Sequence, residues 1–188
     1  MLTSTNVANQ AINLIGDNMP AITGVAPNFD SSTAGKAAAQ FYALCVNAAA
    51  RQFGWDFARK QVVLTPTGNS APLGFLYEYA YPSNGVQVWQ IMPGAISDPN
   101  NPLPVNWTIG NAVVASVQAK VIWCNLPGAI AIYNNAPNES TWDPLFQMAV
   151  VRLLANAMSM AIAGKPDVAE AMLQSGAAFE KLGESRDD

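Results

Sequence analysis

The chain has 188 residues, enough for one domain or two small ones and long enough to bury a core. Only 12% of its residues are charged, about half the usual share, and none is histidine. That excludes histidine-ligated metals, Ser–His–Asp and Cys–His catalysis and a histidine pH switch, and a net charge of −4 argues against a protein that grips duplex DNA through a Lys/Arg footprint.

The opening residues Met1-Leu2-Thr3-Ser4-Thr5-Asn6 carry neither a basic nor an apolar run, so no signal peptide is expected. A first helix is predicted from about Thr5 to Ile15, stopped by Gly16. Ser31, Ser32 and Thr33 offer N-caps for a longer second helix. Its apolar positions Ala38, Phe41, Tyr42, Cys45, Val46, Ala49 and Phe53 follow one helical face. Arg51, Arg59 and Lys60 are expected near its end, where cations suit the dipole. Trp55 and Phe57, after Gly54, are expected to close over the core.

From Gln61 to Ala136 the pattern changes. Glu78, Asp98 and Lys120 are the only charges there, while eight of the thirteen prolines and three of the five tryptophans fall in it, which marks strands and loops rather than helices. Phe75, Tyr77, Tyr79 and Tyr81 alternate with Leu76, Glu78 and Ala80 as a strand. The turn Pro82-Ser83-Asn84-Gly85 then predicts a hairpin with Val86 to Met92. A second hairpin is predicted from Gln118 to Cys124 through Asn125-Leu126-Pro127-Gly128 to Ala129–Tyr133. Between the two lies a proline- and asparagine-rich loop, Pro93 to Pro104, too long for a simple connector and expected to order only on assembly.

Helix returns after residue 136. Asp143 caps a helix with Pro144 at its first position, and the apolar pattern runs to Ala163 before Gly164. Leu145 to Ala163 is apolar enough to suggest a membrane span, but Arg152 would sit near the bilayer centre at a cost of about 3 kcal/mol. A helix buried on nearly every side of a protein is the better reading. Pro166 opens a last amphipathic helix with Val168, Met172, Phe179 and Leu182 on one face, followed by the charged tail Glu184 to Asp188, which contains Arg186. The fold class read from this order is α+β: a bundle of N- and C-terminal helices (1–60 and 137–188) with a central β-hairpin or small-sheet insertion and long loops (61–136).

Chemistry is scarce. Glu78 and Asp98 are the only acids in the middle stretch, so a two-carboxylate glycosidase site would have to use both. The residues Gly35-Lys36 and Gly164-Lys165 lack the rest of a phosphate-binding loop, and the sequons Asn106-Trp107-Thr108 and Asn138-Glu139-Ser140 read as chance without secretion. Cys45 and Cys124, one in a helical and one in a strand pattern, read as separate buried thiols in a chain made in a reducing cytoplasm. Nothing calls for a cofactor or a metal, and the reading is of a protein that is not an enzyme. The tyrosine stripe Tyr77, Tyr79 and Tyr81 has three readings: packing into a core, an interface with another protein, or a stacking platform for sugars or bases. Arg152, inside an apolar helix, calls for an internal carboxylate such as Asp56 or Asp143, or for a salt bridge across subunits.

Several short motifs stand in a distinctive order: Phe53-Gly54-Trp55-Asp56-Phe57-Ala58, Tyr77-Glu78-Tyr79-Ala80-Tyr81-Pro82, Ile132-Tyr133-Asn134-Asn135, Trp142-Asp143-Pro144-Leu145-Phe146 and Ala163-Gly164-Lys165-Pro166. Over nearly its full length the chain resembles the tail tubular protein A, or head-to-tail adaptor, family of short-tailed bacteriophages. The resemblance implies a structural virion protein of the neck, made in the host cytoplasm. Such proteins form a ring, usually of twelve copies, between the portal protein and the tail nozzle, a tail tubular protein B-like partner, with tail fibres a further possible contact. Double-stranded DNA passes through the bore without tight binding. The helical part would face the portal, and the β-rich part its neighbours and the nozzle. Tyr77, Tyr79, Tyr81, Trp89, Trp107, Arg152, Phe179, Leu182 and Arg186 are then the candidate interface residues. The contrasting reading is a carbohydrate-binding or glycan-cleaving tail module that uses Tyr77, Tyr79, Trp89 and Glu78.

Overall fold

The computed structural model describes residues 1–16, 20–52, 54–94 and 105–162. Phe53, Asp98 with residues 95–104 of the proline-rich loop, and everything from 163 on lie outside the described residues. The expected last helix, its Phe179 and Leu182, and Arg186 of the tail are therefore outside them too. The fold is α+β, and the chain forms two compact units: Met1–Phe57 with the stretch from Ala136 on, and Ala58–Asn135 between them in sequence.

Among the described residues the first unit holds three α-helices. Helix α1, Ser4–Ile15, is opened by a capping box in which Thr3 and Asn6 exchange hydrogen bonds, and is closed by Gly16 in the left-handed region at φ 76°. Both ends are set by signals within one turn of the chain. The Asn9 side chain then clamps the backbone of Ile22, accepting from its N–H at 2.7 Å and donating to its carbonyl at 3.0 Å. A two-residue ribbon follows, β1 (Gly24–Val25) with β2 (Asn28–Phe29), which the sequence did not announce.

Helix α2, Thr33–Gln52, begins where Ser32 Oγ accepts from the Gly35 N–H at 2.9 Å. Asp30 ties this cap to the preceding chain. Hydrogen bonds from the Ser32 hydroxyl first, then from the Thr23 and Ser32 amides, hold its carboxyl down to about 2. Ala38, Tyr42, Cys45, Val46 and Ala49 are buried on the expected face, and Phe41 is half-buried.

Helix α3, Pro144–Ile162, starts with the Asp143 carboxylate accepting from the Leu145 N–H at 2.8 Å. It packs against both α1 and α2 through Phe146, Val150, Val151, Leu154, Ala155 and Met158. By length and composition it could cross a membrane, but that test is also met by core helices of soluble proteins. Its burial is one broad face rather than nearly every side, because Leu145, Met148 and Met160 are exposed. Phe146 sits among the rings of Trp55, Phe57 and Trp142, with centroids 4.9–5.3 Å away in edge-on arrangements. Trp55 and Phe57 thus close over this core, as the sequence suggested.

Among the described residues the second unit is built from six strands. β3 (Arg59–Val63), β8 (Ile130–Asn135) and β5 (Gly85–Met92) form one antiparallel sheet in the order β3-β8-β5. β4 (Tyr77–Ala80), β7 (Val117–Cys124) and β6 (Trp107–Val114) form the other, in the order β4-β7-β6. Leu64, Tyr79, Val88, Ile91, Ile122, Cys124, Ala129 and Ala131 make one core from residues of both sheets.

Both expected hairpins are corrected by this topology. β4 pairs with β7 and β5 with β8, so Pro82-Ser83-Asn84-Gly85 carries the chain between sheets. Asn125-Leu126-Pro127-Gly128 likewise passes from β7 to β8 in the other sheet. The second crossing is held by side chains from elsewhere: Tyr79 Oη donates to the Leu126 carbonyl at 2.8 Å, and Asn125 Oδ1 accepts from the Leu76 N–H at 2.9 Å. Turn residues say that a chain reverses; they do not say which sheet receives it. The hairpin that does form, β6 to β7, turns at Ala115-Ser116, with both residues at positive φ (49° and 68°). Arg59 and Lys60 are corrected as well, since α2 ends at Gln52 and both cations lie in β3.

Candidate functional site

The most organised polar cluster surrounds Glu78, a carboxylate only 5% exposed. Strand alternation puts Glu78 opposite Trp123 on one face of the β4-β7-β6 sheet, while Tyr77 and Tyr79 point to the other. Trp123 Nε1 donates to Glu78 Oε2 at 2.8 Å. Thr67 Oγ1 and Asn69 Nδ2 donate to Oε1 at 2.7 and 2.8 Å. Asn69 Nδ2 also reaches the Val113 carbonyl at 3.1 Å, tying the segment after β3 to the β6–β7 hairpin.

Burial by itself pushes the Glu78 carboxyl up. The three hydrogen bonds from Trp123, Thr67 and Asn69 outweigh it and hold the group below the ordinary glutamate value. An acid kept ionised and enclosed by donors suits an anchor for packing rather than a proton donor to a leaving group.

Because the folded pKa is depressed, the stabilisation from this carboxylate is complete above the unfolded pKa, about 4.3, and is lost as pH falls through the lower folded value. Glu78→Gln places an N–H₂ among three donors and should cost about 2 kcal/mol near neutral pH. In denaturant titrations the gap between wild type and variant should narrow below about pH 4. A gap that is the same at every pH would refute the assignment.

The glycan-site residues are not assembled into one surface. Tyr79 is 1% exposed and belongs to the core, which also removes it as an interface residue. Glu78 lies on the opposite face of the same strand, Trp89 is in the other sheet, and Asp98 is outside the described residues. Tyr81 and Trp107 are half-buried against the same core, and Tyr81 also receives Lys120 over its ring at 5.5 Å. Tyr77 and Trp89 remain exposed, each 38%. Trp89 stands at a register irregularity between Val88 and Gln90, where a bulge turns its side chain outward. Arg152 is half-buried on α3. Cys45 and Cys124 are buried free thiols; burial pushes Cys45 up to about 11 and raises Cys124 too. Among the described residues no group of three His, Cys, Asp or Glu side chains comes together.

What sequence reading missed lies in the second unit: Thr67, Asn69 and Trp123 around Glu78, and the edges of its sheets. Large apolar side chains are exposed in this unit at Val63, Leu73, Leu76, Val113 and Val117. No match is found when the chain is compared with models of known protein families and with curated proteins.

Proposed function

We propose that this protein is a structural virion component, a head-to-tail adaptor whose copies form a ring between a portal and a tail nozzle and conduct the genome during ejection. The observation that carries the reading is the charge-poor second unit, whose acid Glu78 is sealed by donors while Val63, Leu73, Leu76, Val113 and Val117 face outward. Apolar side chains exposed on a unit with so little charge suit a surface that other subunits cover. The ordered motifs that resemble the adaptor family support the same reading, and so does a chain whose sparse cations would not hold passing DNA.

In this reading the helices of the first unit form the bundle that meets the portal, and the β unit is the insertion that meets neighbouring copies and the nozzle. The protein has no catalytic task and needs no cofactor. Mixing the purified chain with portal rings, followed by electron microscopy, tests the proposal. An added ring of density on the portal, lost when the residues from Gly183 onward are deleted, is the expected result. A chain that stays monomeric beside portal rings would sink the adaptor reading.

A further inference from the structure

An asparagine followed by glycine is open to attack by its own backbone, because the glycine has no side chain to shield its nitrogen from the asparagine Cγ. The chain has one such pair, Asn84-Gly85; every other asparagine precedes a residue that carries a side chain. The pair lies in the turn Pro82-Ser83-Asn84-Gly85, which takes the chain from β4 to β5, and Asn84 is exposed there. The side chains of Asn9, Asn69 and Asn125 are clamped to distant backbone or to Glu78, and Asn138 caps a short helix. Asn84 has no such anchor among the described residues.

The fold requires the glycine but not the asparagine. A Cβ at position 85 would lie 3.0 Å from the Tyr81 ring and 3.1 Å from the Pro82 carbonyl oxygen. Tyr81 has little room to give, since it packs against the core with Lys120 over its ring. Neither Ser83 nor Asn84 lies at positive φ, so position 84 accepts most residues. The Gly85 N–H closes the turn by donating to the Pro82 carbonyl at 2.8 Å. That bond engages the attacking nitrogen, so reaction passes through a brief opening of the turn. Such openings cost least at an exposed connection.

We infer that Asn84 is a self-modification site of the folded protein, where its own backbone and water convert the amide into a carboxylate. The Gly85 nitrogen gives its proton to solvent base and bonds to Asn84 Cγ; Nδ2 leaves as ammonia, and a cyclic imide closes. Water then opens the ring. Addition at Cγ leaves aspartate in an unaltered main chain. Addition at the Asn84 backbone carbonyl leaves isoaspartate, whose main chain runs through Cβ and Cγ. Either product adds one negative charge at neutral pH. Isoaspartate also lengthens the turn by one atom just before β5 begins, where Gly85 stands opposite Asn135. Between Gln61 and Ala136, where the charges are Glu78, Asp98 and Lys120 alone, the site would change the sparse charge of the stretch most.

Ageing the folded full chain in buffer above neutral pH tests this, with ion-exchange chromatography and peptide mass mapping as readouts. Wild type should accumulate a species with one extra negative charge. The peptide containing Asn84 should be the first to gain the mass difference between NH and O, and its fragmentation should show both aspartate and isoaspartate. The species should form faster as the pH is raised, because the nitrogen must shed its proton. Asn84→Gln and Asn84→Ser should lose it, since glutamine would have to close a larger ring and serine has no amide to expel. An Asn84 peptide that keeps its mass in the folded chain and changes only in urea would overturn the inference. So would an acidic species that persists in both variants, or another asparagine that converts before Asn84. The wild-type mass map decides the matter even if a variant fails to fold. Portal attachment, read on freshly purified chain, is independent of every one of these outcomes.

Discussion

Replacing Phe146 with alanine is expected to destabilise the protein by about 4 kcal/mol, the largest loss from any single change considered. The side chain is fully buried at the start of α3, with Trp55, Phe57 and Trp142 arranged around it edge-on. Truncation removes the transfer energy of the ring, opens a cavity and forfeits three aromatic contacts, each worth about 1 kcal/mol beyond area. The cavity cannot easily collapse because two of its walls are fixed by hydrogen bonds. Trp55 Nε1 donates to the Ala49 carbonyl at 2.9 Å, and Trp142 Nε1 to the Pro137 carbonyl at 3.1 Å. Chemical denaturation followed by tryptophan fluorescence measures both the loss and the change in these two indoles. A loss below about 1.5 kcal/mol would show that the aromatic cluster is not the keystone of the helical unit.

Gly110→Val should cost about 3 kcal/mol through a different mechanism, overpacking. A Cβ at position 110 would lie 2.2 Å from two atoms of the Trp123 ring and 2.8 Å from a third. Gly110 faces Val121, and Trp123 lies diagonally across it, so the missing side chain makes room for the indole over β6. The ring cannot simply swing away, because its Nε1 is the donor to Glu78. Displacing it leaves a buried carboxylate short of one hydrogen bond, which adds to the steric cost. The variant should therefore also lose part of the acid-dependent stability assigned to Glu78. Normal stability together with an unchanged pH profile would disprove the link between the two residues.

The two substitutions separate what is legible in one dimension from what is not. Phe146 stands in a local pattern, two residues after the Pro144 that opens α3, on a face the helical period picks out. Gly110 stands in a stretch from which no strand was expected, and its importance depends on a tryptophan thirteen positions later in the chain. Thr67, Asn69 and Trp123 reach Glu78 from 11, 9 and 45 residues away, distances no motif spans. The turn Ala115-Ser116 was hidden for another reason: it adopts positive φ without the glycine or asparagine that usually signals it.

By itself the sequence determined the mixed α+β character, the start of each described helix, the Gly16 stop and the placement of the charge-poor stretch. Caps, glycine stops and apolar periods act over a few residues, so they can be read from neighbours. Strand partners, the face each strand turns to the core and the sealing of Glu78 were decided only in the tertiary structure. A strand carries the same alternation whichever strand lies beside it. Its partner is chosen by how distant side chains fill one core.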